Sequence, residues 1–400
     1  MDTVTTSKTL APRRWDIFCA VIDNFGDIGI CWRLARQLAA EHAVPVTLWV
    51  DDLASFQKIC AEINPAKTLQ QVAAVQIRHW LSDINWTTEP VAEVVIEALA
   101  CTIPLAYQQQ MALQQQRPLW LNLEYLSAED WVEGCHALPS PQPHLALDKY
   151  FFFPGFTGAT GGLLQEADLQ RQAAHFIADS GAQQAFWQAL GIADSAAYQQ
   201  KISLFAYDHP QLTSLLECWQ NAAAPILCVV PEGTLANQLG KLYPLLSAAN
   251  NPARDVTVGQ LRLKILPFIA QAEYDKLLWA CDINFVRGED SIIRAHWAAK
   301  PFIWQIYRQA ELAHLDKLNA FMQRYCAQMP AEVAEALQQF WLAWNTDTSL
   351  SLSWQKYSAF LLQIADYNQQ WRAALTANGD LASNLVHFVE KKFIMRRNFS

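Results

Sequence analysis

Cysteine occurs nine times in the 400 residues, at positions 19, 31, 60, 101, 135, 218, 228, 281 and 326, but never as C-x-x-C. An odd number of scattered thiols, several inside apolar runs, argues against zinc and disulfide scaffolds and for a reducing, cytoplasmic setting. No apolar run reaches the roughly eighteen residues of a membrane span, and Met1–Arg14 has no stretch resembling a signal peptide. G-x-G-x-x-G after a strand is missing, which weakens a dinucleotide dehydrogenase; a P-loop, G-x-S-x-G and H-E-x-x-H are missing too. The nine histidines are isolated and no D-x-D pair is evident, so neither a metal nor another cofactor is expected. Basic excess is also lacking: 29 Lys and Arg stand against 38 Asp and Glu, a formal charge of −9. That balance speaks against a nucleic-acid partner and suits a cationic substrate or partner.

What the chain does have is apolar mass. Hydrophobic residues make up 52% and charged ones 17%, and the length suits two domains of roughly 150–200 residues. Sixteen tryptophans and nineteen phenylalanines exceed ordinary packing needs, so some are expected to line a cleft for a flat or sugar-like ligand while others fill the core. Short apolar runs (16–22, 45–50, 75–79, 93–97, 118–122) alternate with helical patterns (30–40, 53–61, 106–115). This predicts a parallel, helix-covered sheet. Prolines and glycines between Pro139 and Gly162 predict an ordered, irregular loop region near the cleft, followed by a helical stretch over 163–190. The alternation then restarts, with strands at 201–207, 226–230, 261–266, 282–286 and 301–304 and helices at 209–220, 273–280, 291–299 and 310–326. Beyond Ala331 only helix is expected. The predicted fold is α/β, two Rossmann-like domains (1–190 and 191–365) facing a cleft, with helices over 366–400 packing back on the first. GT-B glycosyltransferases have this architecture, as do several other two-domain α/β enzymes.

Two strand–turn–helix corners carry the chemistry. In Asp23-Asn24-Phe25-Gly26-Asp27-Ile28-Gly29 a strand stops and a helix begins, which places two carboxylates at the carboxyl edge of a sheet, where open α/β folds bind ligands. Such a pair can handle a proton or a cation; equally, Asp27 caps the helix and Asp23 faces water. The second corner is Phe285-Val286-Arg287-Gly288-Glu289-Asp290-Ser291. Free N–H groups at a helix start make an anion site, and Arg287 adds a permanent charge suited to a diphosphate. Glu289 and Asp290 are read as accepting hydrogen bonds from sugar hydroxyls, or else as merely complementing the helix dipole. Phe205 or Phe268 could stack on a base, Tyr207 bond a phosphate, Gln271 read a base edge, and Ile269 and Tyr307 join them from neighbouring strand ends.

Four segments together, IDNFGDIGICWRLARQLA, WLNLEYLSAEDW, KYFFFPGFTGATGGL and VRGEDSIIRAHWAAKPFIWQIY, resemble the EarP family of protein-arginine rhamnosyltransferases. The similarity runs from about Trp15 to at least Leu318; Arg308 departs from it, standing where members tend to carry proline. The resemblance implies an inverting, metal-independent GT-B enzyme with dTDP-β-L-rhamnose as donor and one arginine of elongation factor P as acceptor. It implies an acceptor-binding first domain and a nucleotide-sugar-binding second one. By the same resemblance Asp27 is the general base, Asp23 helps to hold the guanidinium, and Glu289 is needed for activity. Tyr207, Gln271 and Arg287 through Ser291 contact the donor, and Asn24, Phe25 and Gly26 belong to the substrate site. The alternatives are a GT-B enzyme of other donor or acceptor, and a non-catalytic nucleotide-sugar-binding protein.

Overall fold

The computed structural model describes residues 13–22, 25–247, 251, 253–308 and 312–398. Asp23 and Asn24, both expected in the site, lie outside the described residues.

The first sheet has eight strands: β1 (Trp15–Cys19), β2 (Val46–Val50), β3 (Leu69–Val72), β4 (Val75–His79), β5 (Val94–Ala98), β6 (Leu119–Leu123), β7 (Pro139–Gln142) and β8 (Leu147–Phe152). Four helices accompany it: α1 (Gly26–Glu41), α2 (Leu53–Ile59), α3 (Leu105–Leu113) and α4 (Trp131–Cys135). Next come α5 (Leu169–Ala178), α6 (Ser180–Ala189), β9 (Gln200–Leu204), α7 (Leu212–Gln220), β10 (Ile226–Pro231), α8 (Thr234–Leu242), β11 (Asp255–Val258) and β12 (Leu261–Leu266). The second sheet is completed by α9 (Gln271–Ala280), β13 (Ile283–Arg287), α10 (Asp290–Ala298) and β14 (Phe302–Gln305). Five helices end the chain: α11 (Ala313–Cys326), α12 (Ala331–Asn345), α13 (Ser351–Ser358), α14 (Leu361–Ala377) and α15 (Leu381–Asn398).

Strand order is β3-β4-β2-β1-β5-β6-β8-β7 in the first sheet and β11-β12-β10-β9-β13-β14 in the second. Among the described residues only β3–β4, β7–β8 and β11–β12 pair antiparallel, each at an edge. The central strands β1, β2, β5 and β6 are buried at every residue, which is why they read as apolar runs rather than alternating ones. Both sheets are doubly wound: the chain leaves β1 toward β2 and returns beyond it at β5, and leaves β9 toward β10 and returns at β13. Crevices at the carboxyl ends of β1 and β9 are the ligand sites of such sheets.

The structure corrects two local expectations. Residues 139–162 are not all irregular: β7 and β8 form a hairpin on the edge of the first sheet. Pro139 and Pro141 hid β7, because proline is tolerated only where a strand has a free side. The helix expected over 163–190 starts at Leu169 and breaks at Asp179, whose extended backbone ends α5 while its carboxylate caps α6 through Ala182 N–H. The aromatics divide as expected: most tryptophans are buried in the core, while Phe25, Phe205, Phe268 and Trp304 line cavities. One apolar core runs through both sheets and the C-terminal helices, and a smaller one, with Phe18, Trp49, Trp86, Tyr107 and Trp120, covers the other face of the first sheet.

The terminal helices brace both corners. The Asn345 amide at the end of α12 donates to Trp304 and Trp341 carbonyls, and its oxygen accepts Ile306 N–H at 2.9 Å, fixing the chain just before Tyr307. Arg308 is tied to Asp347 at 2.8 Å, an ion pair that tethers the chain just after Tyr307. Helix α14 packs on α10 with Trp371 Nε1 donating to His296 Nδ1, and α15 meets α1 where Gln37 Nε2 reaches Asp380 at 3.0 Å.

Candidate active site

Helix α1 starts at Gly26 without a side-chain cap; the residue before it, Phe25, cannot supply one. Asp27 in its first turn is therefore not the N-cap. Its carboxylate turns back on the preceding loop, accepting Ile22 N–H at 2.9 Å and facing the Tyr125 hydroxyl at 3.4 Å, and the residue is only 2% exposed. An acidic side chain in the first turn of a helix is favourably placed against the positive end of the amide dipoles.

The opposing corner is built from β13 and α10. Gly288 has a φ of +60°, the left-handed turn that lets the strand fold sharply into the helix. Trp304 Nε1 donates to the Gly288 carbonyl at 2.8 Å, and Ser291 Oγ accepts Arg287 N–H at 2.9 Å. The residue before α10, Glu289, makes no capping hydrogen bond to it, so no side-chain cap takes the amides of its first turn. The Arg287 guanidinium lies 4.4 Å from the Phe205 ring centre and 4.6 Å from that of Tyr207, and among the described residues it is held to protein oxygens only by 3.4 Å contacts with Ala206 and Thr234. Stacked but weakly bonded, it can present its fork to an anion.

Two adjoining cavities meet between these corners and share Gly26 and Gly288. One, of about 100 Å³, is lined by Phe25, Phe205, Tyr207, Phe268, Ile269, Gln271, Arg287, Asp290 and Ser291 among others. The second, of about 260 Å³, takes Asp27, Glu289 and Tyr307 together with Tyr125, Leu126 and Lys317. Every described residue expected in the site thus lines one cavity or the other. Asp27 and Glu289 line the larger cavity, and Asp290 and Ser291 the smaller.

Several of these side chains also join the domains. Gln271 Nε2 donates to the Gly29 carbonyl at 3.1 Å, while its Oε1 is buried with no hydrogen-bond partner among the described residues. Gly29 permits that approach, since a Cβ there would stand 3.2 Å from Gln271 Nε2 and 3.6 Å from Asp290 Oδ2. Glu289 Oε2 accepts Leu126 N–H at 3.1 Å, and Phe25 meets Phe268 edge-to-face at 5.1 Å. The sugar-hydroxyl reading of Asp290 needs refinement: its Oδ1 is bound by Arg33 Nε of α1 at 2.8 Å.

Sequence reasoning missed Tyr125, Leu126 and Lys317, and missed the buried ions Arg33, Asp275 and Arg294 with the half-buried Glu166. Tyr125 and Leu126 follow β6 at the same sheet edge as Asp27, a signal that was available; nothing in the spacing of the ions marks them as partners. Burial works to raise the Glu166 carboxyl, but the Arg294 and Arg33 guanidiniums outweigh it and hold the pKa at about 2. Among the described residues no group of three or more His, Cys, Asp or Glu is placed to hold a metal, and no helix is long and apolar enough to cross a membrane. All nine cysteines are free.

Two doubly wound sheets opening onto one cleft, with a cation and helix-start corner facing a carboxylate corner, define a glycosyltransferase of the GT-B class. A UDP-glucosyltransferase from Polygonum tinctorium shares the fold at a TM-score of 0.51 and 12% identity, over 96% of this chain and 99% of that one. The particular family follows from closer matches: the model for the elongation-factor P (EF-P) rhamnosyltransferase EarP covers residues 15–390, and the chain belongs to that family of protein-arginine rhamnosyltransferases. The protein-arginine rhamnosyltransferase of Pseudomonas aeruginosa is 47% identical over 94% of this chain and 98% of its own length. A solved structure described as the basis for EarP-mediated arginine glycosylation of translation elongation factor EF-P aligns at a TM-score of 0.67 and 32% identity, over 95% of this chain and 99% of that one.

Proposed function

We propose that this enzyme moves L-rhamnose from dTDP-β-L-rhamnose to the guanidinium of one arginine of elongation factor P, with inversion at the anomeric carbon and no metal ion. The observation that carries this reading is the pairing of Asp27 and Glu289 in one cavity, directly beside the Arg287–Ser291 cavity. In the donor cavity the nucleotide base lies among Phe205, Phe268 and Ile269, and Gln271 Oε1 accepts from it. The diphosphate sits on the first turn of α10 beneath Arg287, which together take up the charge that a divalent cation neutralises in metal-dependent transfer.

The acceptor guanidinium enters the larger cavity and lies against Asp27. Arginine has a pKa near ~13.8 and aspartate near ~3.9, so complete proton transfer before attack would cost roughly 13 kcal/mol at about 1.36 kcal/mol per unit. Asp27 therefore orients the guanidinium and localises a lone pair on one nitrogen. That nitrogen attacks the anomeric carbon from the face opposite the diphosphate; the C–O bond to phosphate breaks as the C–N bond forms. The proton passes to Asp27 as the nitrogen's acidity rises. Glu289, held by Leu126 N–H, braces the same cavity from the donor side. Asp23 is assigned to the guanidinium as well, on the family resemblance alone. The test is incubation with dTDP-β-L-rhamnose and elongation factor P, read by intact mass: a gain of one deoxyhexose supports the reading, and an unchanged mass refutes it.

A further inference from the structure

Asp290 presents a problem for a phosphate site. It is the first residue of α10 and lines the donor cavity beside Arg287 and Ser291, so its carboxylate stands where a diphosphate must approach. An uncompensated carboxylate there would repel the ligand that the helix start attracts.

The compensating charge comes from the other domain. Arg33 on α1 is 2% exposed and binds Asp290 Oδ1 through Nε at 2.8 Å. Its two terminal nitrogens meet Asp275 at 3.2 and 3.3 Å, and Nη1 also meets Glu166 at 3.4 Å. Arg294 closes the ring, reaching Asp275 through Nε and Nη2 at 2.8 Å each and Glu166 at 2.6 Å. Asp275 and Arg294 belong to α9 and α10, so two of their acid contacts are already satisfied within the second domain. Among the described residues, Asp290 in contrast has Arg33 as the one cation bonded to it. Arg33 lies six residues after Asp27 on the same helix, so one rigid element holds both the acceptor carboxylate and the counter-charge of the donor site.

We propose that Arg33 is a positioning residue for the transfer: by neutralising Asp290 across the cleft it makes the head of α10 receptive to a diphosphate only while the two domains are in contact. Donor binding and the placement of Asp27 opposite it are then linked, because the same contact serves both. This inference rests on the donor reading of the smaller cavity.

Calorimetry on the full chain with two probes, dTDP and thymidine, separates the possibilities. Wild type binding dTDP is required by the donor reading itself; if it does not bind, that reading fails before the role of Arg33 is reached. Given that binding, Arg33→Met is expected to weaken dTDP about tenfold or more while leaving thymidine, which has no phosphate, within about twofold. The double variant Arg33→Met/Asp290→Asn is expected to recover most of the lost dTDP affinity. Equal loss for dTDP and thymidine, or no recovery in the double variant, shows that Arg33 serves packing alone and overturns the proposal. Should Arg33→Met fail to fold, Asp290→Asn gives the decision: it leaves Arg33 uncompensated by that carboxylate, so dTDP binds several-fold tighter with thymidine unchanged, and unchanged or weaker dTDP binding overturns it.

Discussion

Replacing Asp27 by asparagine removes one charge and the proton acceptor but keeps the shape of the side chain. The native carboxylate accepts Ile22 N–H at 2.9 Å, and an asparagine carbonyl oxygen can accept the same bond. For that bond and the α1 dipole the fold loses the difference between a charged and a neutral acceptor, about 1–2 kcal/mol together. Asp27 lines the larger cavity and not the one holding Arg287, so dTDP affinity is expected to stay within about twofold of wild type. Turnover is different. A positioned general base contributes about 10²–10⁴ in rate, roughly 3–5 kcal/mol, and here the same group also orients the cationic acceptor. The variant should thus lose at least about a hundredfold in initial rate of acceptor modification, followed by intact mass under single-turnover conditions, with the donor saturating. A rate within about fivefold of wild type, in protein that binds dTDP normally, would refute the assignment of Asp27 as base.

Two further outcomes follow from the geometry. Arg287→Met keeps a side chain of comparable length over Phe205 and Tyr207 but removes the fork, and losing a charge-assisted contact of about 1.5–3 kcal/mol should weaken dTDP roughly 10- to 100-fold without lowering thymidine affinity in proportion; calorimetry reads both. Stability should fall in mild acid on account of His296, whose burial among aromatic rings lowers its pKa to about 3. A histidine depressed in the folded state contributes stability that is present above the unfolded pKa near ~6.5 and is lost as pH falls toward the folded value, by about 1.4 kcal/mol per unit. Chemical denaturation between pH 7 and 5 should show that slope, and His296→Phe should flatten it.

Both sheets were readable from the sequence because their central strands are buried on two faces and so appear as unbroken apolar runs between helical patterns. Edge elements were not. β7 carries two prolines, and β3 and β11 are short, partly exposed and antiparallel, so neither periodicity nor propensity marks them. The two corners were legible for a local reason, since each is a strand end, a glycine turn and a helix start in consecutive residues. What the sequence could not supply is everything that joins them. Glu289 with Leu126 spans 163 positions, Gln271 with Gly29 spans 242, and Arg33 with Asp290 spans 257. Those contacts depend on how one domain is set against the other, and no local pattern encodes that. They also add to the reading of Asp290 as a sugar-hydroxyl acceptor the buried arginine that holds its carboxylate.

The most direct check of the two-sided cleft is the product itself. Elongation factor P with arginine at its modified loop tip, incubated with the enzyme and dTDP-β-L-rhamnose, should gain a single deoxyhexose. Fragmentation should place it on that arginine, and its anomeric configuration should be the opposite of the donor's. A sugar on any other residue, retained configuration, or no added mass would contradict the account.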